Sequence, residues 1–270
     1  MQTVLTIAGF DPTSGAGVTA DLMVFAAHGL FGTSCITGLT VQSTVGVAAL
    51  TAVSAEMVRA TLDCLESDVP AAGVKIGMLA SAANVAVVVD FVSGLREAEL
   101  RGEKERVPVV LDPVLRSSSG RELLDDAGAS AMRERLLPLV DWVTPNLEEA
   151  GVLLGRSVRR REDMVEAARA LQAMGSGLNV VVTGGHLDPP DDLLVSDGGE
   201  VLWMPGEKIA SRSTHGTGCA FSSALLSRVV LGDEAQDAGL RAKKYVAEAI
   251  RTAAPMGKGF GPVNHLWLMR

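Results

Sequence analysis

Residues 214–226 read THGTGCAFSSALL. Gly216, Thr217 and Gly218 can turn successive backbone N–H groups toward one point, and the small-residue apolar run behind them predicts a helix whose positive end adds to that field. Such a cradle suits phosphate oxygens or a phosphoryl group in transfer, whose charge needs preorganised donors rather than covalent chemistry. Cys219 stands at the same positive end, where the ordinary thiol pKa of about 8.5 is lowered toward neutrality. An idle packing role suits it equally, since a free cysteine behaves as a small hydrophobe.

Two carboxylates pose the same kind of choice. Asp112 follows three aliphatic residues in VVLDPV and precedes Pro113, so it must be paired, capped or metal-bound. The NLEE run offers Asn146 as a helix N-cap with Glu149 at the N3 position, a capping box that needs no catalysis. Together Asp112 and Glu149 also suit a hydrated Mg²⁺, which takes few direct carboxylates and keeps its waters. The capping and metal readings stand level. FDPTSGAGVTADL sets Gly9, Gly15 and Gly17 near a predicted helix start, yet has neither the dinucleotide fingerprint nor the Lys-Ser/Thr pair of a P-loop. By itself it reads as a tight strand-to-helix turn. Asp21, one turn into that helix, is a solvent-facing carboxylate or a ligand contact. His186 and His215 lack the spacing partners of a zinc site and read as loop histidines. The basic stretch GRSVRRRED (155–163) reads as a solvated face.

The elements that carry these residues follow a regular alternation. Short aliphatic runs at 3–9, 33–41, 72–79, 107–114, 141–146 and 178–185 are too short for helices and continuous enough to be buried on both faces. Between them lie helical patterns. In REDMVEAARALQAMG the apolar positions Met164, Ala167, Ala168, Leu171 and Met174 share a face, with Gly175 as a left-handed cap. VTADLMVFAAHG behaves alike, with Gly29 as its stop. Residues 191–205 show two apolar runs around Asp-Gly-Gly and predict an edge hairpin. Two consecutive helices are expected in the closing third. The pattern is that of an α/β fold with a mostly parallel sheet between helices, a single domain over 1–270. In such a sheet the ligand crevice lies at the carboxyl ends of the strands. Five of those ends carry GFDPTSGAG, VQST, DP, TPNLEE and TGGH, which points to one shared site.

Bulk properties narrow the function classes. The 270 residues are 47% hydrophobic but only 4% aromatic, with a net charge of -8. An acidic balance disfavours a surface that tracks nucleic-acid phosphates, and small-molecule chemistry is the better expectation. Three scattered cysteines without a CxxC pair predict no disulfide framework and a reducing, cytoplasmic setting. Neither a targeting segment nor a membrane span is expected.

Taken in order, AGFDPTSGAGVTADL, GLTVQSTVGV, VKIGML, VVLDPVLRSSSG, LLPLVDWVTPNLEEA, VVTGGH, STHGTGC and AKKYVAEAI resemble the hydroxymethylpyrimidine and phosphomethylpyrimidine kinases of thiamine biosynthesis, within the ribokinase-like superfamily. The resemblance implies a ribokinase-like three-layer sandwich, ATP with Mg²⁺, and γ-phosphoryl transfer to 4-amino-5-hydroxymethyl-2-methylpyrimidine or its monophosphate. It places Gly9, Ala16, Asp21, Gln42, Met78 and Val114 around the pyrimidine. Asp112 and Glu149 fall on the metal side, and Gly216, Thr217 and Gly218 in the anion hole. Cys219 takes the position of the catalytic base, while Thr183 and Lys243 border the nucleotide. A homodimer is implied, and LRSSSG (115–120) is a candidate lid. Ser43 stands where the family usually has Asn, Thr183 where it usually has Lys, and Ala220 where it usually has Thr. Two other readings stay open: a pyridoxal or pyridoxine kinase, since the same pocket chemistry can hold a pyridine ring, and a pyrimidine-binding module with impaired catalysis, since the threonine binds a phosphate without neutralising it.

Overall fold

The computed structural model describes residues 1–117 and 119–269. In chain order the elements are β1 (Thr3–Phe10), α1 (Gly17–Ala27), β2 (Phe31–Ser43), β3 (Gly46–Ala52), α2 (Ala55–Asp68), β4 (Val74–Ile76), α3 (Ala82–Leu100), β5 (Val109–Leu111), α4 (Asp126–Ala131), β6 (Trp142–Val143), α5 (Leu147–Leu154), α6 (Met164–Gln172), β7 (Asn179–Val182), β8 (Asp192–Val195), β9 (Val201–Met204), α7 (Thr217–Val230) and α8 (Ala235–Arg251). Among the described residues nine strands form one sheet in the order β3-β2-β1-β4-β5-β6-β7-β8-β9. The run from β2 to β7 is parallel. Antiparallel strands flank it on both sides, β3 on β2 and the β8–β9 pair on β7. The edge hairpin expected at 191–205 is thus present.

Strand alternation divides the core into two layers. Val74 and Ile76, Val109 and Leu111, and Val180 and Val182 pack with α2, α3, α5 and α6. Val110 and Val181 face the other way, toward α1, α7 and α8. The middle residue of β4 on that second face is Lys75, fully buried between Thr6 of β1 and Val110 of β5. This is the three-layer ribokinase-like arrangement, and it sends the charged residue of one strand and the carboxylate following another toward α7.

Two local expectations change. Helix α6 ends at Gln172 with Ala173 as its cap in right-handed geometry, and the left-handed residue beyond it is Gly177 (φ +68°), not Gly175. The Ala-rich GVAALTA, which carries no strand pattern of its own, forms β3 by pairing with β2. No described helix is long and apolar enough to cross a membrane. Of the LRSSSG stretch, Ser118 lies outside the described residues.

Candidate active site

Helix α7 begins where two glycine loops touch. Gly216 caps it in left-handed geometry (φ +83°), and a Cβ there would lie 1.7 Å from the carbonyl oxygen of Gly15. Only glycine satisfies both demands. The loop after β1 is thereby pressed against the N-terminus of α7. The C-terminal segment holds it there, since His265 Nε2 lies 3.0 Å from the same Gly15 oxygen and His215 N donates to Gly261 O at 3.0 Å. Gly216 is buried, Thr217 partly buried and Gly218 exposed, so the unpaired end of the helix opens outward. Ala16 is the N-cap of α1 and Gly9 ends against Met78, whose Cε would lie 2.0 Å from any added Cβ. Gln42, on β2, reaches His215, and Val114 follows Asp112 at the end of β5. The residues implied for a pyrimidine thus gather at the carboxyl ends of β1, β2, β4 and β5, with Asp21 the exception.

Asp21 lies beneath this rim, fully buried. Its carboxylate accepts from Lys75 Nζ at 2.9 and 3.1 Å, from Thr6 Oγ1 at 2.6 Å and from Ser223 Oγ at 2.8 Å. With four hydrogen bonds it has little capacity left for a ligand edge, so its position is that of an internal counter-ion. Lys75 stays charged in this setting: burial opposes its ammonium, but the carboxylates of Asp21 and Asp112 and the Cys219 sulfur outweigh it and raise its pKa.

Cys219 is where the expectation from helix polarity reverses. Burial, reinforced by the Asp21 and Asp112 carboxylates, pushes the thiol up to about 12 against the pull of Lys75. The free protein therefore holds a neutral thiol at this helix end. Asp112 accepts from Ser222 Oγ at 3.0 Å, and burial raises its pKa although Lys75 pulls it down. Glu149 does close the capping box, accepting from Asn146 N at 2.9 Å while Asn146 Oδ1 accepts from Glu149 N at 2.9 Å. It is also raised well above the usual carboxylate range, first by burial and then by the nearby Asp112 charge. Two carboxylates whose charges disfavour one another are stabilised by a cation. Among the described residues no three His, Cys, Asp or Glu side chains converge on one point. That donor set fits Mg²⁺, which leaves most of its positions to water and phosphate, and does not fit a zinc site.

On the other flank, Thr183 is partly buried and bridges Asn146 at the end of β7. Lys243 does not point freely toward a ligand. Its ammonium lies 2.8 Å from Asp192 and donates to Pro190 O at 2.6 Å. Asp192 in turn accepts from Gly184 N at 2.8 Å, so Lys243 braces the loop that presents Thr183. The sequence reading missed Asp11, whose buried carboxylate lies 2.7 Å from His215 Nε2 and accepts from Ala16 N at 3.0 Å. It also missed Lys75, although a lysine inside an aliphatic strand run is itself a signal of a buried partner.

The family model described as phosphomethylpyrimidine kinase matches residues 11–264. The hydroxymethylpyrimidine/phosphomethylpyrimidine kinase of Haemophilus influenzae is 37% identical over 98% of this chain and 97% of its own length. The thiamine biosynthesis bifunctional protein of Geobacter sulfurreducens is 41% identical over 97% of this chain, which spans about half (52%) of that longer protein. Among solved structures, the ADP complex of Bacillus subtilis pyridoxal kinase superimposes with a TM-score of 0.86 at 29% identity, covering 100% of this chain and 99% of that one. A phosphomethylpyrimidine kinase from Clostridium difficile gives 0.77 at 31%, covering 93% and 100%. The family model spans nearly the whole chain and the Haemophilus influenzae relative matches it almost end to end, so this chain is a kinase and belongs to the phosphomethylpyrimidine kinase family.

Proposed function

We propose that the protein is a single-domain kinase that transfers the γ-phosphoryl group of ATP to 4-amino-5-hydroxymethyl-2-methylpyrimidine, and then to its monophosphate, in thiamine biosynthesis. The observation that supports this reading is the junction of the Gly15 loop with the head of α7, where Gly216 meets Gly15 and Gly218 and Cys219 stand beside the Asp112 carboxylate. The N–H groups of Gly216 to Gly218 hold the transferring phosphoryl oxygens, where fixed dipoles act without reorganisation. Cys219 Sγ takes the proton of the substrate hydroxymethyl. Because its thiol is pushed up, the thiolate forms only in a minor fraction at neutral pH and is correspondingly basic. Lys75, locked to Asp21 behind it, supplies the compensating positive charge. Asp112 and Glu149 are the residues that hold Mg²⁺, whose role when bound is to neutralise charge on the β- and γ-phosphates. Thr183 hydrogen-bonds a nucleotide phosphate, and Lys243 acts by bracing its loop.

The small-molecule setting is the cytoplasm, and the working unit is a homodimer. A pyridoxal kinase is the second reading, favoured by the superposition on the Bacillus subtilis enzyme. A coupled-enzyme assay given first the pyrimidine alcohol and then its monophosphate tests the proposal. ATP consumption and phosphorylated product are expected in both. Binding of the pyrimidine in calorimetry without any ATP turnover contradicts it and supports an impaired binding module.

A further inference from the structure

His215 Nε2 lies 2.7 Å from Asp11 Oδ2 and 3.1 Å from the side-chain amide of Gln42. The Asp11 carboxylate is ionised: burial would raise it, but the bonds from His215 and from Thr13 outweigh burial and hold it below the usual range. A carboxylate only accepts, so the hydrogen on His215 Nε2 points at Asp11. That nitrogen then has no lone pair for an amide N–H. With the Gln42 nitrogen turned inward, two donors would oppose each other. Amide oxygen and nitrogen are interchangeable in shape, and the network decides between them. The oxygen therefore faces His215, taking the weaker share of the one Nε2 hydrogen whose main acceptor is Asp11, and the nitrogen turns to the Thr40 hydroxyl, which lies 3.3 Å from the far end of the amide and itself donates to Phe10 O at 3.0 Å.

We infer that Asp11 and His215 are positioning residues that fix the polarity of the Gln42 amide, and that this sets the specificity of the pocket for a ring bearing an acceptor nitrogen beside a primary amine. Locked in this way, Gln42 keeps one oxygen lone pair and one N–H free, in a fixed order. An aminopyrimidine edge offers the complementary amine and ring nitrogen. His215 is only 12% exposed at its side chain and Asp11 5%, so water does not compete freely for the pair. The inference rests on the proposal that Gln42 meets the pyrimidine, and deepens it.

The test compares affinities of the pyrimidine alcohol and of its des-amino analogue by calorimetry, with KM and kcat for the alcohol. His215→Leu removes the lock. Asp11→Asn puts an NH2 group where both oxygens now accept and so releases the polarity of His215. In either, affinity for the aminopyrimidine is expected to fall about three- to tenfold, with the des-amino analogue, which keeps only the ring-nitrogen contact, weakened less and the loss in KM rather than kcat. His215→Gln, which returns an N–H donor to the place of Nε2, restores the preference. If the ratio of affinities stays at its wild-type value in Leu and Asn variants, or if both compounds weaken equally, the lock is overturned. A wild-type protein that neither binds nor phosphorylates the pyrimidine overturns the underlying functional proposal instead.

Discussion

At the scale of single residues, Cys219 shows how local and global environment oppose each other. A helix N-terminus favours the thiolate, but burial and two carboxylates drive the thiol up to about 12. The sign of the consequence is clear: below that value each step up in pH enlarges the thiolate fraction. If the thiolate is the working base, kcat rises from about pH 7 to about pH 9. Cys219→Ala is expected to fold normally and lose about a hundredfold or more in kcat. Cys219→Asp retains part of the rate and loses the alkaline rise, because a carboxylate is already ionised. An alanine variant with normal turnover would assign Cys219 to packing. Glu149 makes the opposite case, since it both caps α5 and carries an unfavourable buried charge. Glu149→Gln keeps an acceptor for Asn146 N while removing that charge. Its melting temperature should hold or rise, while the Mg²⁺ concentration needed for half-maximal rate increases; thermal melts and a Mg²⁺ titration check the pair of effects.

At the scale of elements, the site depends on which face of a strand each residue occupies. Lys75 shares a face with Val110 and Val181, and that face meets α1 and α7, which bring Asp21 and Ser223 to it. Lys75→Met leaves the Asp21 carboxylate buried and uncompensated, at a cost of about 3–5 kcal/mol in unfolding free energy. Adding Asp21→Asn should recover part of that loss in denaturant titrations. Independent losses that simply add would show that the pair is not coupled. Much of this architecture was legible in the sequence. Aliphatic runs with polar ends located the parallel strands, Asn146 and Glu149 marked the start of α5, and the Asp-Gly-Gly turn marked the edge hairpin. Strand β3 was not legible because alanine and glycine carry no alternation, and its order comes from pairing with β2. Neither the inward turn of Asp21 nor the Asp11–His215 pair has a local signature. Each is created by contacts between elements 15 to more than 200 residues apart.

At the scale of the whole molecule, one sheet of the described residues brings the ends of its parallel strands and the starts of α1 and α7 along one rim; on the proposed function that rim is where alcohol and nucleotide would meet. The same scaffold serves the pyridoxal kinase of Bacillus subtilis, so the fold alone does not choose the ring. On the function proposed above, what would distinguish the substrates is the edge presented by Gln42, together with the apolar side chains of Met78 and Val114. The most direct measurement is therefore kcat/KM for ATP-dependent phosphorylation of 4-amino-5-hydroxymethyl-2-methylpyrimidine, set beside that for pyridoxal on the same preparation of wild-type protein. The aminopyrimidine alcohol is expected to be turned over with the higher value. A higher value on pyridoxal, or no turnover of the pyrimidine alcohol by folded protein, would contradict the proposed function.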